Sequence, residues 1–316
     1  MPDRLKLAIV IINYKTPQLV IDCLVSLHGQ VDPSTARVIL VDNLSPDNSV
    51  EILKKWLAAN DDQKVVQLIE AKANAGFSAG NNVGMCAADA EYYLLLNSDT
   101  IVRPGAIAIL LETADRNPGA GLVSPRLEWP DAGPQQSCFR YLTPVSEFID
   151  AAKTGPVTAL FKDYVVAMPV SETMVNPQWT SFACVLVRGD VVRQIGLMDE
   201  GFFMYFEDVE YCRRARAAGW EIIHNPKAHV VHLRGGSSPV KQRVMERKRV
   251  PRYYYVSRTR YFYLSYGWLG LMLANLFWSL GRSISKIREL VGQREAAVPA
   301  RQWLDIWTNW RHPTAA

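Results

Sequence analysis

The stretch Leu94–Gly105, LLLNSDTIVRPG, decides how the rest of the chain is interpreted, because it ends an apolar run in a carboxylate. The leucines are typical of a buried strand, and Asn97 to Asp99 follow where that strand leaves the core. Asp99 is either a helix cap or part of a site at the end of a strand. Since Pro104 lies too far along the chain for Asp99 to cap it directly, we expect a site.

The first third of the chain alternates strand and helix patterns. The predicted strands are Lys6–Ile12, Arg37–Val41, Lys64–Glu70, Tyr92–Leu96 and the short run 120–125. The predicted helices follow Thr16-Pro17, follow Ser45-Pro46 as far as Trp56, and cover Phe77–Ala90 and Pro104–Arg116. Strands this apolar, separated by helices, predict an α/β fold with a mainly parallel sheet flanked by helices.

Polar clusters follow four of these strands. They are Asn13-Tyr14, Asp42-Asn43, the stretch NAGFSAGNN at 74–82, and Asn97-Ser98-Asp99. In open parallel sheets ligands bind beyond the carboxyl ends of the strands. One polar loop would be unremarkable, but four at the same edge predict a binding site.

Several classes of protein are excluded. The turn after the first strand, NYKTPQ at 13–18, has no glycine, which excludes the dinucleotide fingerprint, and no P-loop is present. The glycine-rich, arginine-containing loop that opens nucleotide-sugar pyrophosphorylases is also missing. The five cysteines have no paired spacing, so no disulfide framework or zinc site is expected, and Cys23, Cys86 and Cys184 are predicted to be small core residues.

The motifs together resemble those of inverting glycosyltransferases of family 2, which have the Rossmann-like GT-A fold. The similarity is greatest to the bacterial branch of rhamnosyltransferases and galactofuranosyltransferases that build cell-surface polysaccharide. The matching pieces, in order over about residues 8–238, are IVIINYKTP, VILVDNLSPDNS, NAGFSAGNNVG, LLLNSDT, MDEGFFMYFEDVEYCRRARAAGW and HVVHLRGGSS. Two residues depart from the family pattern: Phe182 replaces a small residue, and Asn97 replaces an acid.

The resemblance implies a metal site and a catalytic base. Asp99 and His232 would hold Mg²⁺ or Mn²⁺, which accept such ligands. Asp208 would accept the proton of the acceptor hydroxyl, with Glu207 orienting it. The alternatives are that both acids are ordinary residues of a helix N-terminus, and that His232 is a core or surface histidine. His224 and His229 compete with His232 for the metal role. For Asp208 the helix terminus lowers the pKa and burial raises it, so the direction is left open.

The remaining implied contacts concern the donor and the acceptor. The predicted nucleotide-sugar site comprises Asn13, Tyr14, Asp42, Asn74, Gly76, Phe77, Gly80, Asn81, Asn97 and Ser98. Arg234 would neutralise the leaving diphosphate. Trp179 is equally a platform for the acceptor sugar or a core residue.

The chain is expected to divide near residue 240. Residues 1–240 would form the catalytic domain, with a nucleotide-binding half at 1–124 and an acceptor half at 125–240. Residues 241–316 would form a basic, helical C-terminal region. Within it Tyr261–Leu280 carries no charge and could just span a bilayer, but its many Tyr and Trp residues favour a helix or hairpin on the membrane surface over a core or dimer contact and over a true span.

The sequence therefore predicts a metal-dependent inverting glycosyltransferase. The first candidate donor is dTDP-L-rhamnose, and UDP-linked galactofuranose, glucose or GlcNAc come next. The acceptor would be a glycan or a polyprenyl-diphosphate-linked glycan, and no nucleic acid is expected. Because the N-terminus lacks a signal-peptide pattern, we expect a cytoplasmic protein, peripherally bound to the inner face of the membrane through 253–290, and a homodimer is an option. The alternative class is a non-catalytic membrane-bound assembly partner.

Overall fold

The computed structural model describes residues 4–233, 240–292 and 298–315. The chain forms two compact units. The first comprises residues 1–138, 169–200 and 211–237, and the second comprises residues 139–168, 201–210 and 238–316. The short segment 201–210 therefore belongs with the C-terminal region. The division into a catalytic domain at 1–240 and a C-terminal region at 241–316 stays a prediction.

The secondary-structure elements alternate along the first half of the chain. The strands are β1 Leu5–Asn13, β2 Ala36–Asp42, β3 Val66–Glu70, β4 Ala90–Asn97, β5 Thr100–Val102, β6 Ala120–Glu128, β7 Cys138–Phe139, β8 Trp179–Thr180, β9 Cys184–Arg188 and β10 Glu221–His232. The α-helices are α1 Pro17–Leu27, α2 Ser49–Asn60, α3 Gly76–Cys86, α4 Ala106–Arg116, α5 Pro144–Ala152, α6 Gly155–Leu160, α7 Gly189–Ile195, α8 Glu207–Ala217, α9 Val240–Met245, α10 Arg252–Leu290 and α11 Gln302–Asp305.

The first unit contains one large sheet with the strand order β3-β2-β1-β4-β9-β6-β10-β5. Strand β1 pairs in parallel with β2 and β4, β2 with β3, and β6 with β10. Strand β9 enters antiparallel between β4 and β6, and β5 returns antiparallel along β10. The predicted α/β class with a mainly parallel sheet is confirmed.

Alternation along β1 explains why helices cover both faces of the sheet. Leu7, Ile9 and Ile11 belong to one apolar cluster, and Ala8 and Val10 belong to another. All five side chains are at most 3% exposed. The first cluster includes residues of α1, α2 and α4, and the second includes residues of α3, α7 and α8. A strand that is apolar on both faces is stable only between two such layers.

The structure differs from the sequence prediction in several boundaries. Helix α2 begins at Ser49 instead of Pro46, and α3 ends at Cys86 instead of Ala90. The predicted short strand at 120–125 extends to Glu128. Cys86 is exposed, so its assignment to the core was wrong, because the last turn of α3 carries it away from the sheet. Short apolar runs do not reveal where packing ends.

The second unit is helical, and its longest helix bends sharply. Gly267 interrupts α10 with a φ of 67° and a ψ of −169°. Arg258 Nη1 donates to Asn275 Oδ1 at 2.7 Å, although 17 residues of straight helix would separate them by about 25 Å. The two halves therefore fold back on each other. Glu147 of α5 completes this buried contact by pairing with Arg258 at 2.8 Å.

The predicted C-terminal helical extension is confirmed. Within the described parts of the chain, no helix has both the length and the apolar character needed to cross a bilayer.

Substitution Gly84→Ala should destabilise the protein by about 1–3 kcal/mol, although alanine favours helix. A methyl group at Gly84 would overlap the side chain of Val10, which is fully buried and stiff because it is β-branched. Urea denaturation measures the change. Gly119→Ala is the control, since nothing lies within 4 Å of its added carbon. Equal stability of the two variants would contradict the close packing of α3 on β1.

Candidate active site

Three polar residues meet at the carboxyl edge of the sheet in the first unit. Asn13 of β1 lies opposite Asp42 of β2, and Ile12 lies opposite Asn97 of β4. The parallel pairing thus brings together three of the four predicted polar clusters. The fourth follows β3, which pairs with β2 on its other side.

Asp42 is held rigidly by its neighbours. Asn13 Nδ2 donates to Asp42 Oδ1 at 2.6 Å, and the backbone N–H of Ser45 donates to Asp42 Oδ2 at 2.9 Å. Asn13 is fully buried and Asp42 is 2% exposed. A carboxylate has about four acceptor positions, so Asp42 keeps capacity for a further donor. Tyr14, the next predicted residue, is half-buried.

Asn43 belongs to one of the predicted polar clusters but was given no individual role, and it connects two of the loops. Its Nδ2 donates to Asn74 Oδ1 and to the carbonyl of Gly76, both at 3.0 Å. Asn74 Oδ1 also accepts from the N–H of Gly76, whose φ of 96° favours glycine. The position of Asn43 directly after Asp42 was the available signal.

The predicted residues of α3 are mostly engaged within the protein. Gly80 lies so close to β1 that an added carbon would come within 3.1 Å of Ile12. Asn81 Nδ2 donates to the carbonyl of Phe77 at 3.0 Å, and Phe77 packs beside the second apolar cluster. These contacts position the start of α3, and direct contact of these residues with a nucleotide stays a prediction.

Asp99 and His232 are brought together from distant parts of the chain. Asp99 Oδ1 lies 3.4 Å from His232 Nε2, and the two side chains are 10% and 14% exposed. Strand pairing places His232 opposite Thr100, and the N–H of Leu233 donates to the carbonyl of Asp99 at 2.9 Å. The antiparallel contact of β5 with β10 therefore builds this pair.

The other two candidate histidines, His224 and His229, contact other side chains. His229 Nδ1 contacts Glu128 at 3.0 Å. His224 is buried beside Ser124, and burial followed by the charge of Arg126 lowers the pKa of His224 to about 4. Of the three histidines considered, only His232 approaches Asp99.

Two buried polar atoms near this pair have no hydrogen-bond partner within the described residues. They are Oδ1 of Asn97 and Nδ1 of His232. Ser98 instead contacts Thr16, with 3.2 Å between the two hydroxyl oxygens. Within residues 4–233, 240–292 and 298–315, no cluster of three His, Cys, Asp or Glu side chains is arranged to hold a metal ion. Arg234 lies outside the described residues.

Glu207 and Asp208 lie in the second unit, at the start of α8. The two residues before them, Tyr205 and Phe206, have φ values of 72° and 69°. Consecutive non-glycine residues in the left-handed region are costly and occur mostly where the surrounding structure holds them. Asp208 Oδ1 accepts from the N–H of Val209 at 2.8 Å.

Burial decides the acidity of this pair. Burial raises the pKa of Asp208 to about 7, more than its hydrogen bonds to the backbone lower it. Burial, and then the charge of Asp208, raise the pKa of Glu207 well above its usual range. Glu207 Oε2 has no hydrogen-bond partner within the described parts of the chain. The two opposing effects recognised in the sequence are thus resolved in favour of burial.

Helix α10 supports the loop that carries these acids, which the sequence analysis did not foresee. The ring of Phe206 lies 5.5 Å from that of Tyr254 and 5.6 Å from that of Tyr261. Ser257 Oγ donates to the carbonyl of Met204 at 3.1 Å. Contact of Tyr205 with Tyr254, at 5.6 Å between the rings, adds to this support. The strained turn is therefore held by aromatic packing.

The predicted acceptor residue Trp179 and the family departure Phe182 belong to the first unit. Trp179 is half-buried and packs beside the second apolar cluster. Phe182 is 2% exposed, and its ring lies edge-on to Tyr211 at 6.0 Å. The Phe182 side chain fills the core, and a role of Trp179 toward an acceptor stays a prediction.

Comparison with known proteins agrees with this architecture. Residues 8–137 match the glycosyl transferase family 2 domain. The N-acetylglucosaminyl-diphospho-decaprenol L-rhamnosyltransferase of Mycobacterium tuberculosis is 30% identical over 217 residues, which cover 64% of this chain and 67% of that protein. The chain belongs to glycosyltransferase family 2, and it is therefore a glycosyltransferase.

The chain is also similar to a hexosyltransferase and to a solved mannosyltransferase from other organisms. The low-salt glycan biosynthesis hexosyltransferase Agl10 of Haloferax volcanii is 27% identical, over 75% of this chain and 68% of that protein. The solved mannosyltransferase PcManGT from Pyrobaculum calidifontis, in complex with GDP-Man and Mn²⁺, has a TM-score of 0.59 at 11% identity. That match covers 93% of this chain and 77% of the solved chain, and it confirms the GT-A fold.

Substitution Asp208→Asn should raise the melting temperature at pH 8. Because the pKa of Asp208 is raised from 3.8 to about 7 in the folded protein, ionisation costs stability as the pH rises between these values. Asparagine removes that cost, and each kcal/mol recovered adds about 2–4 °C for a protein near this size. Calorimetric melting at pH 4 and pH 8 measures the difference in melting temperature between this variant and the unsubstituted protein. The difference should nearly vanish at pH 4.

The exposed Asp62 provides the matched control. Asp62→Asn should melt like the unsubstituted protein at both pH values. An equal effect of Asp208→Asn at pH 4 and pH 8 would show that ionisation of Asp208 is not the cause.

Proposed function

We propose that this protein catalyses metal-dependent, inverting transfer of a sugar from a nucleotide diphosphate to a glycan hydroxyl. The observation that carries the proposal is the buried Asp99–His232 pair, 3.4 Å apart at the carboxyl edge of the sheet. Family membership favours an enzyme over a non-catalytic assembly partner.

The donor's nucleotide is assigned to the edge formed by β1, β2 and the loop before α3. Asp42, fixed by Asn13, would read the base through its remaining acceptor positions. Asn43 and Asn74 keep the loop at Gly76 in place beside it. A preformed arrangement of this kind lowers the entropy that binding must overcome.

The Asp99–His232 pair fits a divalent cation. Carboxylate oxygen suits Mg²⁺ and Mn²⁺, and imidazole is also acceptable to Mn²⁺. The unsatisfied Oδ1 of Asn97 lies two residues from Asp99 and adds an oxygen acceptor to this edge. Two protein ligands leave room for diphosphate oxygens and water, the usual arrangement for Mg²⁺ with a nucleotide. When bound, the cation would supply positive charge that stabilises the leaving diphosphate.

Asp208 is the proposed general base. Its carboxylate would take the proton of the acceptor hydroxyl while that oxygen forms the new bond to the anomeric carbon. The bond from that carbon to the phosphate oxygen breaks, and the nucleotide diphosphate leaves with the electron pair. A pKa of about 7 suits a base that works near neutral pH. Glu207, whose pKa is raised further, would orient the acceptor or Asp208.

The name of the relative at 30% identity favours L-rhamnose from dTDP-rhamnose as the donor sugar. UDP-sugars such as galactofuranose, glucose or GlcNAc are the alternatives. The acceptor in that relative's name is linked through a diphosphate to decaprenol. We therefore assign a polyprenyl-diphosphate-linked glycan as the acceptor class here.

Such an acceptor would require contact with the cytoplasmic face of a membrane, for which the second unit offers an apolar surface. The exposed large apolar residues of α10 and of the chain beyond it include Leu264, Trp268, Leu269, Leu276, Leu280, Ile287, Leu290, Trp303, Leu304, Trp307 and Trp310. Exposed tryptophan and leucine on one helical segment are typical of interfacial binding. Arg258 and Arg282 are buried in ion pairs with Glu147 and Glu289 and are therefore not available to lipid headgroups.

The donor assignment predicts nucleotide stabilisation that depends on metal. With Mn²⁺, dTDP should raise the melting temperature more than UDP or GDP does. At a concentration of 100 times its dissociation constant, a ligand stabilises the folded protein by about 2.7 kcal/mol. Asp99→Ala should abolish the effect of Mn²⁺, because it removes one side of the pair. Asp208→Asn should keep the nucleotide effect but lower the rate of sugar transfer by about 10²–10⁴-fold. Thermal melting and a transfer assay measure the two responses.

Asp62→Ala, at an exposed position, is the control and should behave like the unsubstituted protein. Absence of stabilisation by any nucleotide would overturn the donor site. Undiminished turnover of Asp208→Asn would overturn the assignment of the base while leaving the donor site intact.

The membrane assignment predicts that the protein binds phospholipid vesicles through apolar contact. Leu269, Leu276 and Leu280 are 72%, 50% and 49% exposed, and their spacing places them on one face of α10. The triple change to glutamate should abolish co-sedimentation with phosphatidylcholine vesicles. Val25→Glu, at a 58% exposed position of α1, should leave it unchanged. Failure of the unsubstituted protein to co-sediment would refute a membrane role.

A further inference from the structure

A cavity beside β6 and β10 lies in the first unit, away from the proposed donor site. It has a volume of about 280 Å³, and its charged and polar lining side chains are Arg103, Arg126, Glu128, Lys227 and His229. None of them belongs to the predicted nucleotide, metal or acceptor residues.

Three adjacent strands place basic side chains in a row across one face of the sheet. Strand pairing puts His229 of β10 opposite Arg126 of β6. On the other side the N–H of Arg103, just past β5, donates to the carbonyl of His229 at 3.1 Å. The side chains of Arg103 and Arg126 thus flank His229 on the two neighbouring strands.

Glu128 supplies one negative charge but is fully engaged. It is 2% exposed, and its Oε1 accepts from Arg103 Nε at 2.9 Å while Oε2 contacts His229 Nδ1 at 3.0 Å. Burial by itself would raise the pKa of Glu128, but the bonds to His229 and Arg103 outweigh it and lower the pKa. The carboxylate is thus ionised and holds two basic side chains at the cavity wall.

Several donors remain for a ligand. Within the described part of the chain, the two Nη atoms of Arg103 and the ammonium of Lys227 have no hydrogen-bond partner, whereas the Nη atoms of Arg126 donate to Glu172 and to the carbonyl of Ala132. Glu172, which pairs with Arg126 at 3.0 Å, is 76% exposed and therefore binds it only weakly. Three cationic side chains against two carboxylates leave the cavity with one net positive charge.

We propose that this cavity binds a phosphate group. Phosphate offers three or more oxygens to donors that converge from separate strands, and guanidinium groups bind it with two parallel hydrogen bonds. The source is either a soluble phosphate compound or a lipid headgroup, which share this chemistry.

The cavity is separate from the Asp99–His232 pair. His232 lies three residues beyond His229 on β10, so roughly 10 Å of extended strand separates them. An odd spacing on a strand also directs the two side chains to opposite faces. Occupation of the cavity does not require the donor site to be filled.

Calorimetric titration with inorganic pyrophosphate tests the proposal. The full chain is used in EDTA, which removes the divalent cations on which the proposed donor site depends. We expect Lys227→Gln to weaken binding by about tenfold or more, as loss of a charge-assisted bond does. Lys227 is exposed, so this variant should fold, and Arg103→Gln should give a similar loss. Lys55→Gln, at an exposed position of α2, is the control and should bind normally.

A second arm separates the two sources of phosphate. Vesicles of phosphatidylcholine with or without phosphatidic acid are offered to the same proteins. Phosphatidic acid that strengthens co-sedimentation of the unsubstituted protein, but not of Lys227→Gln, would identify a lipid headgroup. Pyrophosphate binding without this lipid effect would identify a soluble compound. The proposal would be overturned if Lys227→Gln changed neither pyrophosphate binding nor co-sedimentation. An equal loss of binding with Lys55→Gln would overturn it as well.

Discussion

The parallel pairing of β1 with both β2 and β4 is the constraint on which the first unit depends. It aligns Asn13 with Asp42 and brings Asn97 to the same edge. Because side chains alternate along a strand, a slip of one residue would turn this polar set toward the opposite face of the sheet. The apolar faces of β1, buried against helices on both sides, make such a slip costly. The register that buries the core is thus the register that assembles the polar edge.

The second unit holds two carboxylates, those of Glu207 and Asp208, in a buried environment. Burial raises the pKa of Asp208 to about 7, which means that the ionised form reduces stability. The left-handed turn at Tyr205 and Phe206 adds a further cost. Aromatic contacts with α10 offset these costs by burying the turn. Strain and unfavourable burial of this kind are expected where a protein exchanges stability for activity.

Much of the fold and the candidate site was predictable from local patterns. Apolar runs, proline at helix starts and polar clusters after strands identify the sheet and its carboxyl edge. The bond of Asn43 to Asn74, the exposure of Cys86 and the support of Phe206 by α10 were not predictable. Each depends on a contact between distant segments, which no local periodicity records. The row Arg103–His229–Arg126 likewise exists only because β5, β10 and β6 are neighbours.

The sequence by itself determined the α/β class, the positions of the polar loops and the family, since these follow from periodicity and from motifs in a given order. Only the tertiary structure decided that His232, not His224 or His229, lies beside Asp99, because strand pairing selects the partner. It also decided that the pKa of Asp208 rises, because burial outweighs the bonds that the helix start provides. Burial and pairing are properties of the assembled chain, and neighbouring residues in sequence do not specify them.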